Sequence, residues 1–273
     1  MEKVIKDLWV ERSESKKNWS MASSHAHPFH ELYFLVSGRR RYFLGHTIYD
    51  ISPGNLVLIP KQLLHQTTVL GNQGYDRYVL YFNETEEFIL PKMIGRENFD
   101  RLMASGCLQL PPEATRQILR DLEQMEQEEA AQSEYSVAMG YHLLEDILLC
   151  ALRFGKPKQQ CRGEVADKVQ EVSHYITENY ARELPLTEAA KMACMEETYF
   201  SKRFKALTGF GFQEYLTQTR LLAAEELLRE TNLTMSEIAE LCGFSGSNYF
   251  GDVFRRRQGM APTEYRRRCR QEQ

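Results

Sequence analysis

No apolar stretch in the 273-residue chain approaches the roughly 18 residues that a membrane span needs. Its opening residues, Met1-Glu2-Lys3-Val4-Ile5-Lys6-Asp7, lack the continuous apolar core of a secretion signal. Both absences predict a cytoplasmic protein without a membrane partner. Cysteine is sparse and scattered: Cys107, Cys150, Cys161, Cys194, Cys242 and Cys269 form no CxxC pair. That spacing argues against a disulfide framework and against a cysteine-rich zinc site, and it predicts reduced thiols. An excess of positive charge is also missing, because the formal net charge is -4. If nucleic acid is a partner, the charge that meets it must be local. The hydrophobic fraction of 42% and charged fraction of 26% exclude wholesale disorder, and the length leaves room for two domains, each with its own core.

What is present divides the chain. From Trp19 to about Phe82, runs of Val, Ile, Leu, Tyr and Phe are punctuated by Ser37-Gly38, Pro53-Gly54 and Gly71-Asn72, the pattern of an antiparallel barrel or sandwich. Between Glu113 and Phe154 the period becomes helical: Ile118, Leu119, Leu122 and Met125 share one face, and Val137, Tyr141, Leu144, Leu148 and Ala151 another. Gly155 to Gly163 is polar, carries Pro157 and has no period, so it reads as a linker. The expected architecture is multidomain α+β. Residues 1–155 form a small antiparallel β-barrel with two following helices, 156–165 connect, and 166–273 are all-α.

The helical half nearly repeats itself. Tyr199-Phe200 returns as Tyr249-Phe250, Phe204 as Phe254, Gly209 as Gly259, and Glu214-Tyr215 as Glu264-Tyr265. Thr187-Glu188-Ala189-Ala190 returns as Ser236-Glu237-Ile238-Ala239 at an offset one residue shorter, so the extra residue falls in the turn. Each copy reads as a helix, a tight turn near Cys194 or Gly243, and a second helix, the helix-turn-helix plan. Thr234-Met235-Ser236-Glu237 has the form of a capping box. Phenylalanines four apart place Phe200 with Phe204, and Phe250 with Phe254, on one anchoring face. Tyr199 and Tyr249 are expected to join them in the core. Phe212 to Arg229 reads as a rigid connecting helix that sets the second helices about one helical turn of DNA apart, near 34 Å.

These residues resemble a known family. Ile238-Ala239-Glu240-Leu241-Cys242-Gly243-Phe244-Ser245, then Tyr249-Phe250, Phe254, Gly259, Pro262 and Tyr265-Arg266, are similar to the signature of AraC/XylS-type regulators. The resemblance covers roughly Val169 to Arg268. It implies a transcription regulator that binds double-stranded operator DNA, acts with the transcription machinery and is not an enzyme. By the family's docking pattern the base readers map onto Glu197, Thr198, Ser201 and Lys202 in the first unit, and onto Ser247, Asn248 and Asp252 in the second. Lys202 can bridge guanine O6 and N7, and Asn248 can pair with adenine. The family commonly carries a small polar residue and then a base where this chain has Gly251-Asp252, and Asp252 is repelled by phosphate. Arg203, Lys205, Arg255, Arg256 and Arg257 are the phosphate candidates, with Arg266, Arg267, Arg268 and Arg270 beyond them. From Glu164 onward acidic residues slightly outnumber basic ones, so each arginine run taken alone is a solvated face, and only the repeat gives them a common target.

In the first half, His25-Ala26-His27-(x3)-Glu31-(x6)-Gly38 resembles the first motif of cupin barrels, and Pro53-Gly54 followed by His65 resembles the second. On a strand of period two, His25, His27, Glu31 and Tyr33 face one way and His30 and Leu32 the other. Three readings stay open: an effector pocket of His25, His27, Glu31, Tyr33 and His65; a divalent metal on His25, His27, Glu31 and His65; or satisfied structural histidines. No cofactor is required. Arg39, Arg40, Arg41, Tyr42 and Tyr81 add donors and aromatic faces that suit a sugar, the effector class that the family resemblance implies. The helices after the cupin-like barrel resemble those that pair in family dimers, so a homodimer is expected. The rival reading is a metal-dependent cupin enzyme with an accessory helical domain. A DNA-repair alkyl acceptor would need a reactive cysteine domain, and no such motif is present.

Overall fold

The computed structural model describes residues 7–15, 26–71 and 74–271. Residue His25 lies outside them. The chain divides into two compact units, Met1–Cys161 and Arg162–Gln273.

The first unit carries β1 (Leu8–Ser15), β2 (His30–Ser37), β3 (Arg40–Leu44), β4 (Thr47–Ile51), β5 (Asn55–Ile59), β6 (His65–Val69) and β7 (Tyr75–Phe82). Then come α1 (Leu90–Ile94), α2 (Arg96–Met103), β8 (Cys107–Gln109), α3 (Pro112–Ala131), α4 (Ser136–Phe154) and β9 (Lys156–Pro157). The strands form two sheets, β1-β7-β2-β5-β8-β9 and β4-β3-β6, all paired antiparallel. They make a cupin-like jelly roll of two facing sheets, not one closed barrel. Tyr33 and Val57 of the large sheet share a core cluster with Tyr42 and Ile51 of the small one. On the other face of the large sheet, Leu32, Phe34, Leu58 and Leu80 pack against Ile118, Leu122, Leu144 and Leu148 of α3 and α4. A sheet buried on both faces has no polar side to alternate with. This is why β5 is buried along its whole length.

Three strands, β1, β8 and β9, lie outside the run from Trp19 to Phe82 that the sequence marks as β. β1 is the edge of the large sheet and carries Glu11, Arg12 and Glu14, the charges with which an edge resists further pairing. Its Val10 amide is instead taken by the Glu129 carboxylate of α3 at 3.0 Å. β9 is too short to show any period, and Pro157 sits at an edge, where a missing amide is harmless. The Cys161 amide also donates to the Ile48 carbonyl at 2.7 Å. Part of the segment that reads as a linker is therefore strapped to the first unit.

His30 supplies a first prediction. It opens β2 on the helix-facing side, stacked on Phe82, with Nε2 3.0 Å from Glu84 Oε1. Burial lowers its pKa below the ordinary 6.5, although Glu84 pulls the other way. A depressed histidine favours the neutral ring in the fold. Its stabilisation is complete above pH 6.5 and is lost as the pH falls through the lowered value. Thermal melts between pH 7.5 and 5.5 should show the first unit losing stability on acidification, with a smaller slope in His30→Gln. Equal slopes would remove His30 from the account.

The second unit is all helical: α5 (Glu164–Asn179), α6 (Leu186–Met192), α7 (Glu197–Thr208), α8 (Phe212–Glu230), α9 (Met235–Leu241), α10 (Ser247–Gln258) and α11 (Pro262–Gln271). Among the described residues no helix is long and apolar enough to cross a membrane.

Candidate functional site

The repeat folds as two helix-turn-helix units, α6 with α7 and α9 with α10. Their turns close alike. The Cys194 amide donates to Lys191 O and Met195 to Ala190 O, at 3.0 and 2.9 Å; Gly243 donates to Glu240 O and Phe244 to Ala239 O, at 3.0 and 2.8 Å. Both pairs are Schellman closures around a left-handed residue, Cys194 at φ 55° and Gly243 at φ 75°. Helix α9 begins on the expected capping box: Thr234 Oγ1 accepts from the Glu237 amide at 3.2 Å, and the Glu237 carboxylate from the Thr234 amide at 2.7 Å.

Phe200 and Phe204 are fully buried and pack edge-on to Phe212. Phe250 and Phe254 are equally buried, against Phe244 and Tyr265. A fully buried phenylalanine contributes up to about 3 kcal/mol, so these pairs fix which face of α7 and α10 turns outward. Tyr199 and Tyr249 correct the sequence reading, being 48% and 50% exposed. Successive helical residues are 100° apart, and the phenylalanine beside each tyrosine has already taken the inward direction.

The outward face of α7 exposes Glu197, Thr198 and Lys202, with Ser201 half-buried; that of α10 exposes Asn248 and Asp252, with Ser247 half-buried. Lys205, Arg255 and Arg256 are exposed, whereas Arg203 and Arg257 are half-buried. Desolvation lowers the pKa of Arg257, which lies near the charges of Glu225 and Glu214. Arg266 is a brace: it donates to the Leu228 and Leu233 carbonyls at 3.4 and 2.6 Å. Arg220 grips the turn after α5 in the same way, through the Tyr180 and Arg182 carbonyls at 2.8 and 2.9 Å. Glu196 was not singled out by the sequence. Its carboxylate caps α7 by accepting from the Tyr199 amide at 2.9 Å.

Between the sheets of the first unit, Glu31, Tyr33 and Tyr42 are buried together with His27 and His65. Strand alternation places Glu31 and Tyr33 there, but β2 starts only at His30. His27 arrives by a local hook, its Nδ1 2.9 Å from the Phe29 carbonyl and its Nε2 2.9 Å from Glu31 Oε2. His65 Nε2 lies 3.4 Å from the same oxygen. The Tyr42 hydroxyl, which sequence reasoning credited only as a general donor, donates to Glu31 Oε1 at 3.2 Å. Burial alone would raise the Glu31 carboxyl. The His65 and His27 rings beside it outweigh that and hold it well below the usual carboxylate range. Arg40 is buried in the same interior, over the Tyr75 ring and donating to Thr67 Oγ1 at 3.3 Å. Arg41 points elsewhere, in a bidentate pair with Asp50, and Arg39 is exposed. A separate cleft of about 470 Å³ lies between β1, α3 and α4, lined by Trp9, Met125, Glu128, Glu129, Val137 and Tyr141. Two of its carboxylates already serve the fold: Glu129 holds β1, and Glu128 accepts from Ser136. The convergent donors are in the inter-sheet interior.

Two family models match this chain. One, an AraC-like ligand binding domain, spans residues 10–144, and the other, a helix-turn-helix domain, spans residues 189–268. The chain belongs to the AraC family of transcription regulators. The ligand-binding match takes in His27, Glu31, Tyr33 and His65, and the helix-turn-helix match takes in α7 and α10 whole. The transcriptional activator RhaR of Mannheimia succiniciproducens is 24% identical over 89% of this chain and 87% of its own length. The transcriptional regulator YijO of Escherichia coli is 36% identical over 39% of this chain and 41% of its own. A crystal structure of the DNA-binding domain of AdpA with a target DNA is 30% identical, covering 38% of this chain and 93% of that domain, with a TM-score of 0.37. This AraC-family chain is thus a DNA-binding regulator with a ligand-binding domain.

Proposed function

We propose that the chain is a cytoplasmic regulator that reads its operator through the outward faces of α7 and α10 and is controlled by a small polar effector of the carbohydrate class. The observation that carries the reading is the duplicated inward phenylalanine pair, which leaves Lys202 with Thr198 and Asn248 with Asp252 at matching outward positions. Glu197, Ser201 and Ser247 complete the base-reading set. Phosphate contact is assigned to Lys205, Arg255 and Arg256 on the exposed face, with Arg203 and Arg257 beside them. The half-exposed Tyr199 and Tyr249 join the interface at its rim. Selection of bound duplexes from a random pool should return one motif with two blocks about a helical turn apart. A pool without enrichment would overturn this reading.

The effector assignment is supported by aromatic faces and polar donors together in one interior, Tyr33, Tyr42 and Tyr75 with Arg40 and Glu31. The chain acts by binding and not as a cupin enzyme. A second copy is the proposed partner of α4, which exposes Val137, Leu152 and Phe154. Two tethered reading heads raise operator affinity without new contacts. Effector occupancy shifts operator affinity only through different affinities for two states of the chain.

A further inference from the structure

Three side chains in the inter-sheet interior point acceptors at one spot. His27 Nε2 and His65 Nε2 lie 2.9 and 3.4 Å from Glu31 Oε2, and the three residues are 9%, 0% and 1% exposed. The other nitrogen of each ring is committed. His27 Nδ1 is 2.9 Å from the Phe29 carbonyl oxygen, and His65 Nδ1 is 2.8 Å from that of Leu63. A carbonyl oxygen only accepts, so each Nδ1 carries the hydrogen and a neutral ring turns its Nε2 lone pair toward the carboxylate. Two lone pairs facing an anionic oxygen out of water repel strongly. A cation among the three atoms would turn that repulsion into attraction.

We propose that His27, Glu31 and His65 bind one divalent transition-metal ion of the zinc class through Nε2, Oε2 and Nε2. The spacing fits. Zinc bonds of about 2.0–2.2 Å in a tetrahedron put neighbouring ligand atoms about 3.3 Å apart, and the two distances to Glu31 Oε2 fall on either side of that value. All three donor atoms lie within 4.8 Å of one another. Two imidazoles and one carboxylate suit zinc, iron or nickel, whereas calcium and magnesium take all-oxygen sites. The surroundings match as well: ligating histidines commonly donate their second N–H to a carbonyl, and ligating carboxylates are themselves hydrogen-bonded. The Tyr42 hydroxyl does the latter at Glu31 Oε1, leaving Oε2 to the ion. Three protein ligands leave a coordination position open, the arrangement of ions that meet a ligand. Only that last step rests on the effector reading; metal binding stands on the three side chains.

The test uses the full chain stripped by chelator and dialysed, titrated with Zn2+ by calorimetry and with Co2+ by visible absorption. One equivalent of zinc and cobalt ligand-field bands are expected. Glu31→Gln and His65→Ala should each weaken zinc by more than about 100-fold, and Tyr42→Phe by about 10-fold, the range of outer partners. His30→Gln, on the opposite face of β2, should leave binding unchanged, as should Cys194→Ser, which removes an exposed thiol. Circular dichroism establishes that each variant is folded. Wild-type protein that takes up no stoichiometric zinc overturns the proposal. So do folded Glu31→Gln and His65→Ala chains that bind as the wild type does, or loss of the zinc in Cys194→Ser. Zinc uptake by a chain that ignores every sugar would overturn the effector reading and leave the ion in place.

Discussion

Gly243→Ala is expected to destabilise the helical unit by about 2–5 kcal/mol. Two effects add. Gly243 sits at φ 75°, where a residue with a Cβ loses about 1–2 kcal/mol. The added Cβ would also lie 2.3 Å from the Ala181 carbonyl oxygen, 2.7 Å from its carbon and 2.9 Å from the Ala181 Cα. These are backbone atoms, which cannot swing aside as the end of a flexible side chain would. Overpacking of that kind costs about 1–3 kcal/mol. Ala181 is further held in place because Arg220 of α8 grips the carbonyls on both sides of it. The turn of the second helix-turn-helix therefore rests on the turn that precedes α6, and the substitution pushes the two apart. Thermal unfolding of the full chain, together with operator titration, measures both consequences. Gly251→Ala is the control, since its Cβ would meet nothing within 4 Å and alanine is the better helix former by roughly 1 kcal/mol. If Gly243→Ala melted with that control, the packing of the two turns would be refuted. The other copy gives the converse: Cys194 holds the equivalent left-handed position with its Cβ in the open, so Cys194→Gly should be neutral or stabilising by about 1 kcal/mol.

The legible parts of the chain are those where geometry allows few residues. The turn at Gly243, the capping box at Thr234 and the phenylalanines four apart are each tied to one backbone shape, and the phenylalanine pair, which occurs twice, marked two like units in the sequence itself. The alternation of Glu31 and Tyr33 against His30 and Leu32 was legible for the same reason. Tyr199 and Tyr249 were not, because hydrophobicity alone does not say which of two adjacent aromatics turns inward on a helix; the partner four residues on decides it. His27 reached Glu31 through a hook closed on the Phe29 carbonyl, a contact without a sequence period. Strand β1 hid behind the charges that protect its edge, and β9 behind its length of two residues. The Glu128 and Glu129 carboxylates serve α4 and β1 through single contacts that follow no sequence period.

Lys202→Ala is expected to weaken specific operator binding by about 1–3 kcal/mol, or roughly 5- to 150-fold, and to relax the base preference at one position. Lys202 lies on the outward face of α7, exposed, two positions from buried Phe200 and Phe204 on either side. Its counterpart on α10 is Asp252, also exposed. A carboxylate can accept from cytosine N4 but is repelled by phosphate, so the first unit should carry more of the affinity than the second. Arg256→Ala separates reading from steering: it should weaken all duplexes alike and lower the salt slope by about one. Asp252→Asn should strengthen binding to unrelated duplexes while changing the motif at one position of the second block. Because Lys202 and Asp252 lie on different helices, α7 and α10, the effects of Lys202→Ala and Asp252→Asn on one operator should add to within about 0.5 kcal/mol. Titrations at several salt concentrations, on the selected operator and on scrambled DNA, read all of these together. A Lys202→Ala protein that kept its full preference for the operator would show α7 to be a scaffold, and base reading would have to move to another face of the unit.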